Sequence, residues 1–190
     1  MKPAAFSLKI EDNRDYMDYT FTPEQFLAGM DTQDDRYRYN YFKRRFAYET
    51  EEITPFHREE IREFMEREWC GEKTCEECHC GCLLRVIDNL VPVFDKIRIN
   101  GILVRVEGKM AGLCIVSCRN GLGVYQYKNA VNRIKGINEY LLRESFERYL
   151  QSADTINYTE DMGVENLRYY KEHMAPAHTL LSKLTLTERG

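Results

Sequence analysis

The sequence lacks the features of a membrane-spanning or exported protein. Its 190 residues contain no apolar run approaching the ~18–20 residues that a bilayer-spanning helix needs. The N-terminal residues Met1–Phe6 lack the apolar stretch of a signal peptide. We therefore predict a cytoplasmic protein without a membrane span.

The sequence also lacks an excess of basic residues. Its formal net charge is −4, which argues against a general nucleic-acid binder and leaves room for a local basic patch. A hydrophobic content of 43% with 31% charged residues is ordinary for a soluble globular protein.

The cysteines are dense in one loop, but no second group of paired cysteines exists. Disulfides rarely persist in the cytoplasm, so this loop favours metal ligands, reduced thiols or redox groups. Four thiolates, or three with the histidine, suit tetrahedral zinc. Reduced thiols and redox chemistry remain the alternatives. The candidate ligands are Cys70, Cys75, Cys78, His79, Cys80 and Cys82.

The order of predicted elements indicates an α+β fold. Residues 1–53 are predicted as an N-terminal helical arm or linker, and residues 54–190 as one domain that carries the cysteine-rich loop 70–82. After two helices, a three-strand meander turns at Glu107–Gly108 and Asn120–Gly121, and helix, strand, helix and strand follow. We expect a mixed sheet flanked by helices, an order that resembles the GNAT-type acyltransferases.

A strand, a polar turn and a helix are predicted over residues 156–171. Glu160 and Asp161 fall where the strand ends, which is where ligands bind in α/β sheets, and either carboxylate could serve as a general base. The alternative is that Asp161 caps the helix. Arg168 and Lys171 share one helical face and are candidates for holding phosphate or a tRNA 3′ end, with solvation or pairing to glutamates as the alternative.

A second candidate site is the helix start that follows the meander. Arg133, Lys135, Gly136 and Asn138 lie where a helix N-terminus and basic side chains could bind the phosphates of a donor. GNAT enzymes that use acetyl-CoA carry a glycine-rich loop here, whereas this segment has a single glycine. Acyl-CoA and aminoacyl-tRNA therefore both stay open as donors.

The 156–171 segment also resembles a known family. A strand ending in Asn157, followed by Asp161, Gly163, Leu167-Arg168 and Lys171 and then by Pro176, is similar to the C-terminal domain of bacterial phosphatidylglycerol lysyltransferases and their relatives. The resemblance implies a GNAT fold and transfer of an acyl or aminoacyl group. Soluble relatives carry two GNAT-like halves and this chain has room for one, so the resemblance implies a fragment, a stand-alone half, or a chain that pairs with another such half or forms a homodimer.

Two functional hypotheses follow. The first is an acyl or aminoacyl transferase with an open pocket lined by Tyr127, Asn157 and Glu160. The second is a non-catalytic or incomplete GNAT-like half that binds a partner, with tRNA or a metal as candidates. A groove filled by side chains would favour the second hypothesis.

Overall fold

A computed structural model describes residues 6–11, 13–70, 83–174 and 179–188, with side chains described over 13–68, 85–174 and 179–182. Most of the cysteine-rich loop lies outside these ranges. Cys75, Cys78, His79, Cys80 and Cys82 are not described, and Cys70 is described only as backbone of a π-helical turn. The prediction that they bind zinc stays a prediction. The residues that are described contain no cluster of three or more metal-ligating side chains.

The described strands form two sheets. The larger sheet has the order β3-β4-β5-β6-β7-β2-β8, and β1 pairs separately with β9 in an antiparallel ribbon. All neighbours in the larger sheet are antiparallel except β6 and β7, which run parallel. The strands are β1 (Phe6–Glu11), β2 (Asp18–Phe21), β3 (Tyr48–Glu52), β4 (Asn100–Val106), β5 (Lys109–Arg119), β6 (Leu122–Ala130), β7 (Thr155–Asn157), β8 (Thr179–Leu181) and β9 (Lys183–Glu188).

Helices cover the sheet. The helix α5 packs on β4, β5 and β6 and is itself covered by α2, while α3 contacts β5. The helices are α1 (Pro23–Gly29), α2 (Gln33–Arg45), α3 (Arg58–Met65), α4 (Leu83–Leu90), α5 (Ile137–Tyr149) and α6 (Glu165–Met174). The architecture is the predicted α+β fold with a mixed sheet flanked by helices.

Two tight turns build the predicted meander. Glu107–Gly108 and Asn120–Gly121 all have positive φ, which is the backbone of a two-residue type I′ hairpin. These turns join β4 to β5 and β5 to β6, as the sequence predicts.

The N-terminal 53 residues contribute more than the predicted helical arm. They contain α1 and α2, but also β2 and β3, which belong to the larger sheet. β2 lies between β7 and β8, and β3 forms one edge of the sheet against β4.

The parallel strands β6 and β7 part soon after they meet. Their pairing covers residues 122–124 of β6 and 155–157 of β7, yet β6 continues to Ala130. Beyond the last pair with β6, the chain stays hydrogen-bonded to β2 alone of these two neighbours, since the Tyr158 amide donates to the Tyr19 carbonyl at 2.8 Å. A gap therefore opens between the second half of β6 and residues 158–161, and we call it the strand gap.

Candidate functional site

The segment on the β7 side of the strand gap is a tightly coiled turn. Thr159, Met162 and Gly163 all have positive φ, and α6 begins two residues after Gly163. The predicted strand, turn and helix are confirmed. Left-handed backbone at two non-glycine residues costs energy, so other contacts must hold this turn in place.

Asp161 is the centre of those contacts. Its side chain is fully buried, and it accepts hydrogen bonds from Arg14 (2.9 Å), the Tyr19 hydroxyl (2.7 Å) and the Gly163 amide (2.9 Å). The Arg168 guanidinium donates a hydrogen bond to each of the two carboxylate oxygens, at 3.0 and 3.1 Å. Burial opposes ionisation of Asp161, but these donors together hold the pKa of its carboxyl well below the usual range.

These contacts give Asp161 and Arg168 structural roles. A carboxylate with a lowered pKa whose oxygens are already bonded is a poor proton acceptor. Arg168 also donates to Asp15 at 2.5 Å, so its guanidinium is engaged on two carboxylates. The geometry favours a turn-stabilising role for Asp161 over the catalytic one, through the Gly163 amide that precedes α6, and internal pairing of Arg168 over phosphate binding.

Lys171 is turned inward as well. Its side chain is 3% exposed, and its ammonium donates to the carbonyls of Tyr158 (2.5 Å), Glu160 (2.8 Å) and Thr159 (3.2 Å). Burial lowers its pKa to about 8, although the nearby carboxylates of Glu160 and Asp161 oppose that shift. Lys171 thus stabilises the turn that presents Glu160, and its predicted role in phosphate binding is not supported by these contacts.

Tyr127 and Asn157, predicted to line one pocket, reach different elements. Asn157 is 8% exposed, donates to Asp18 at 2.9 Å and accepts from the Thr159 amide at 2.7 Å. The Tyr127 hydroxyl instead donates to the Met65 sulfur of α3 at 3.0 Å. Glu160 is half-buried in the turn that Lys171 holds.

A β-bulge shapes the opposite side of the strand gap. Ile115 of β5 pairs with Tyr127, and its neighbour Val116 pairs with Tyr125, so Gln126 is an extra residue on β6. Tyr125 and Tyr127 consequently face opposite sides of the sheet. The Tyr125 hydroxyl donates to the Leu142 carbonyl of α5 at 2.8 Å, whereas Tyr127 reaches α3.

Aromatic rings pack at the base of the strand gap. Tyr125 and Tyr158 meet edge to face at 5.3 Å, and Phe26 of α1 contacts both. The Tyr158 hydroxyl also interacts with the hydroxyl of Tyr170 on α6. The gap therefore has an aromatic floor on the α5 side of the sheet.

The Lys128 side chain lies on the α5 side of the sheet, as do these rings, and the sequence analysis did not predict it as a site residue. The bulge turns its side chain toward α5, where its ammonium donates to Asn138 at 3.0 Å. The structure places the predicted Asn138 as the hydrogen-bond partner of Lys128. The signal in the sequence is a lysine at the end of an apolar and aromatic strand. In the structure Lys128 lies opposite the buried Cys114 of β5.

The predicted phosphate-binding residues lie at the start of α5. Gly136 is the N-cap with φ 88°, and a side chain there would collide with the Arg38 carbonyl of α2. Arg133 is 77% exposed and lies 3.8 Å from Glu68. The Lys135 ammonium lies over the rings of Tyr37 (4.7 Å) and Tyr41 (5.3 Å). The structure therefore places Arg133 and Lys135 at the surface beside a helix start.

The chain matches one family model, that of the phosphatidylglycerol lysyltransferase C-terminal region, over residues 3–182. The chain belongs to this family. The match includes both sides of the strand gap, so the resemblance carried by residues 156–171 is confirmed. No curated protein matches the chain.

Solved structures confirm the fold. The chain is similar to a conserved protein of unknown function from Bacteroides thetaiotaomicron (24% identity, TM-score 0.78), covering 99% of this chain and 64% of that one. It is similar to L-PGS from Bacillus licheniformis (14% identity, TM-score 0.58; 97% and 62% covered). A tandem GNAT protein from the clavulanic acid biosynthesis pathway matches at 10% identity and TM-score 0.53, with 96% and 56% covered.

This member of the phosphatidylglycerol lysyltransferase C-terminal family therefore has the GNAT fold. The chain spans less than two thirds of the length of these solved relatives. No helix in the described part of the chain is both long and apolar enough to cross a membrane.

Proposed function

We propose that this chain is a GNAT-type transferase that moves an acyl or aminoacyl group onto an amine or hydroxyl acceptor. The observation that carries the proposal is the strand gap, where parallel β6 and β7 part after residues 124 and 157. Ligands of α/β sheets bind at the carboxyl ends of parallel strands, and a strand edge offers backbone groups to an extended ligand. A linear donor fits that geometry.

The transfer step needs a base at the acceptor. The acceptor nitrogen or oxygen attacks the donor carbonyl, the bond to the donor's sulfur or oxygen breaks, and the acceptor loses its proton. We propose that the Glu160 carboxylate accepts this proton. The Lys171 ammonium binds the Glu160 carbonyl at 2.8 Å and so fixes this residue beside the gap. Asp161 holds the turn and takes no part in proton transfer.

The start of α5 is the proposed place for the donor's phosphates. Arg133 and Lys135 are exposed there, next to the first turn of a 13-residue helix. Acyl-CoA and aminoacyl-tRNA both carry phosphates, and a helix N-terminus with basic neighbours attracts them. The two donors differ in size and are separated by experiment.

A second candidate is a binding module without activity of its own. The chain spans only 56–64% of its solved relatives, and aromatic rings occupy the floor of the gap. A second GNAT-like half, or a second copy of this chain, would complete such a module.

Donor binding and transfer test the two candidates. Purified protein is incubated with CoA thioesters and with aminoacyl-tRNAs, melting temperature is recorded, and amine or hydroxyl acceptors are screened by mass spectrometry. The transferase predicts a raised melting temperature with one donor class and a product that Glu160→Gln abolishes. Glu147→Gln, an exposed change on α5, is the matched control and retains activity. Absence of binding and product with every donor would leave the binding module.

A further inference from the structure

Lys128 is a half-buried cation whose surroundings differ from those of every other inward lysine described. It lies on the part of β6 that has left β7, and its ammonium donates to Asn138, a neutral amide. Among the residues whose side chains are described, Lys128 forms no ion pair. Burial lowers the pKa of Lys128, and the Cys114 thiol and the Glu139 carboxylate oppose that shift; Glu139 itself lies 3.6 Å from the Arg38 guanidinium.

Lys171 supplies the contrast across the same gap. Three carbonyls accept hydrogen bonds from its ammonium, and Glu160 and Asp161 lie close enough to oppose its deprotonation. Lys128 has one neutral partner instead. A cation withdrawn from water without an anion is costly, and an anionic ligand offsets that cost through a charge-assisted hydrogen bond.

We propose that Lys128 is the counter-ion for a carboxylate carried on the transferred acyl group, so that the chain prefers acidic acyl donors to neutral ones. The inference rests on the proposed transferase function and narrows its substrate class. Lys128 lies on the stretch of β6 beyond its last pair with β7, along which the donor chain is proposed to extend. The donor's phosphates are assigned elsewhere, to Arg133 and Lys135, so the anion at Lys128 belongs to the acyl end.

The first experiment measures the anion site without activity. Melting temperature is recorded at constant ionic strength with succinate, and with succinamide as the neutral analogue, for the wild type, Lys128→Met and Lys109→Met. Succinate should stabilise the wild type and Lys109→Met, an exposed lysine at the start of β5, but not Lys128→Met. Circular dichroism shows whether each variant is folded. Equal stabilisation of all three proteins would overturn the proposal.

The second experiment uses the donors. Calorimetry compares succinyl-CoA with acetyl-CoA on the wild type, Lys128→Met and Lys128→Arg. We expect roughly tenfold tighter binding of succinyl-CoA by the wild type, a preference that Lys128→Met loses and Lys128→Arg keeps in part. Equal affinities in the wild type would overturn the preference. If no CoA ester binds while succinate still protects through Lys128, the anion site stands and CoA fails as the donor.

Discussion

Both sides of the strand gap carry basic side chains, but these side chains are paired within the protein on the β7 side and are left exposed or with a neutral partner on the β6 side. On the β7 side, Asp161 and Arg168 bind each other, and the ammonium of Lys171 is taken up by backbone carbonyls. On the β6 side, Lys128 has a single neutral partner, and Arg133 and Lys135 lie exposed. The comparison teaches that a family motif can mark the rigid wall of a site while its ligand-facing groups lie on the opposite strand.

Removing the charge of Asp161 should lower the free energy of unfolding more than any other change on the β7 side of the gap. Asp161→Asn leaves two guanidinium groups facing a neutral amide, and we expect a loss of about 3 kcal/mol in the free energy of unfolding. Arg14 and Arg168 are each about one third exposed, so water partly compensates and the loss stays below the upper end of the usual range. Urea unfolding followed by circular dichroism measures it.

The control for Asp161 is another aspartate that pairs with an arginine. Asp34 is 65% exposed and pairs with Arg38 on α2, so Asp34→Asn should leave stability unchanged. A second readout is pH. Because the pKa of Asp161 is lowered, its stabilisation is present above the ordinary value of 3.8 and is lost as the pH falls below it. An Asp161→Asn protein as stable as Asp34→Asn would contradict the central role of Asp161.

Gly136, at the start of α5, tests how closely α5 packs against α2 on the β6 side of the gap. An alanine there must adopt φ 88° and collide with the Arg38 carbonyl, so Gly136→Ala should cost about 3 kcal/mol. Gly108→Ala is the matched control, since its φ is 75° but nothing lies within 4 Å of the added carbon. That change should cost about 1 kcal/mol. Equal losses in thermal unfolding would mean that α2 yields to the new side chain.

The sequence predicts the local parts of this fold well. The hairpin turns Glu107–Gly108 and Asn120–Gly121 and the strand, turn and helix of 155–174 are found where short-range patterns place them. Their signals, a positive-φ dipeptide and a change of apolar period, lie within a few residues of one another.

Long-range pairing accounts for what the sequence does not predict. The strand β3, Tyr48–Glu52, is acidic and half exposed, and only its pairing with β4 across some 50 residues makes it a strand. Arg14 and Tyr19 could not be connected with Asp161, because they lie more than 140 residues away in sequence. Lys128 could not be assigned to the α5 side of the sheet from the sequence. The bulge at Gln126 reverses the alternation of side chains between the two faces of β6.

Replacing Lys171 should sharpen the comparison between the two lysines. Lys171→Met leaves the carbonyls of residues 158–160 without their donor, and we expect a loss of about 2 kcal/mol. The pKa of Lys171 is about 8 when folded and 10.5 in the unfolded chain, so the unfolded state binds more protons in between and stability rises with pH. From pH 8 to pH 9 the wild type should gain about 1 kcal/mol relative to Lys171→Met. Parallel pH curves would contradict this assignment.

The smallest effect is expected at Lys128. Lys128→Met removes a half-buried cation that has one neutral partner and keeps the aliphatic stem, so its free energy of unfolding should stay within about 1 kcal/mol of the wild type or increase. The same urea titration that measures Lys171→Met measures this variant. A loss as large as that of Lys171→Met would show that the two sides of the gap are alike and that Lys128 is structural. A stable Lys128→Met protein that has lost its response to succinate would instead place the stabilising charges on the β7 side and the ligand-facing charge on β6.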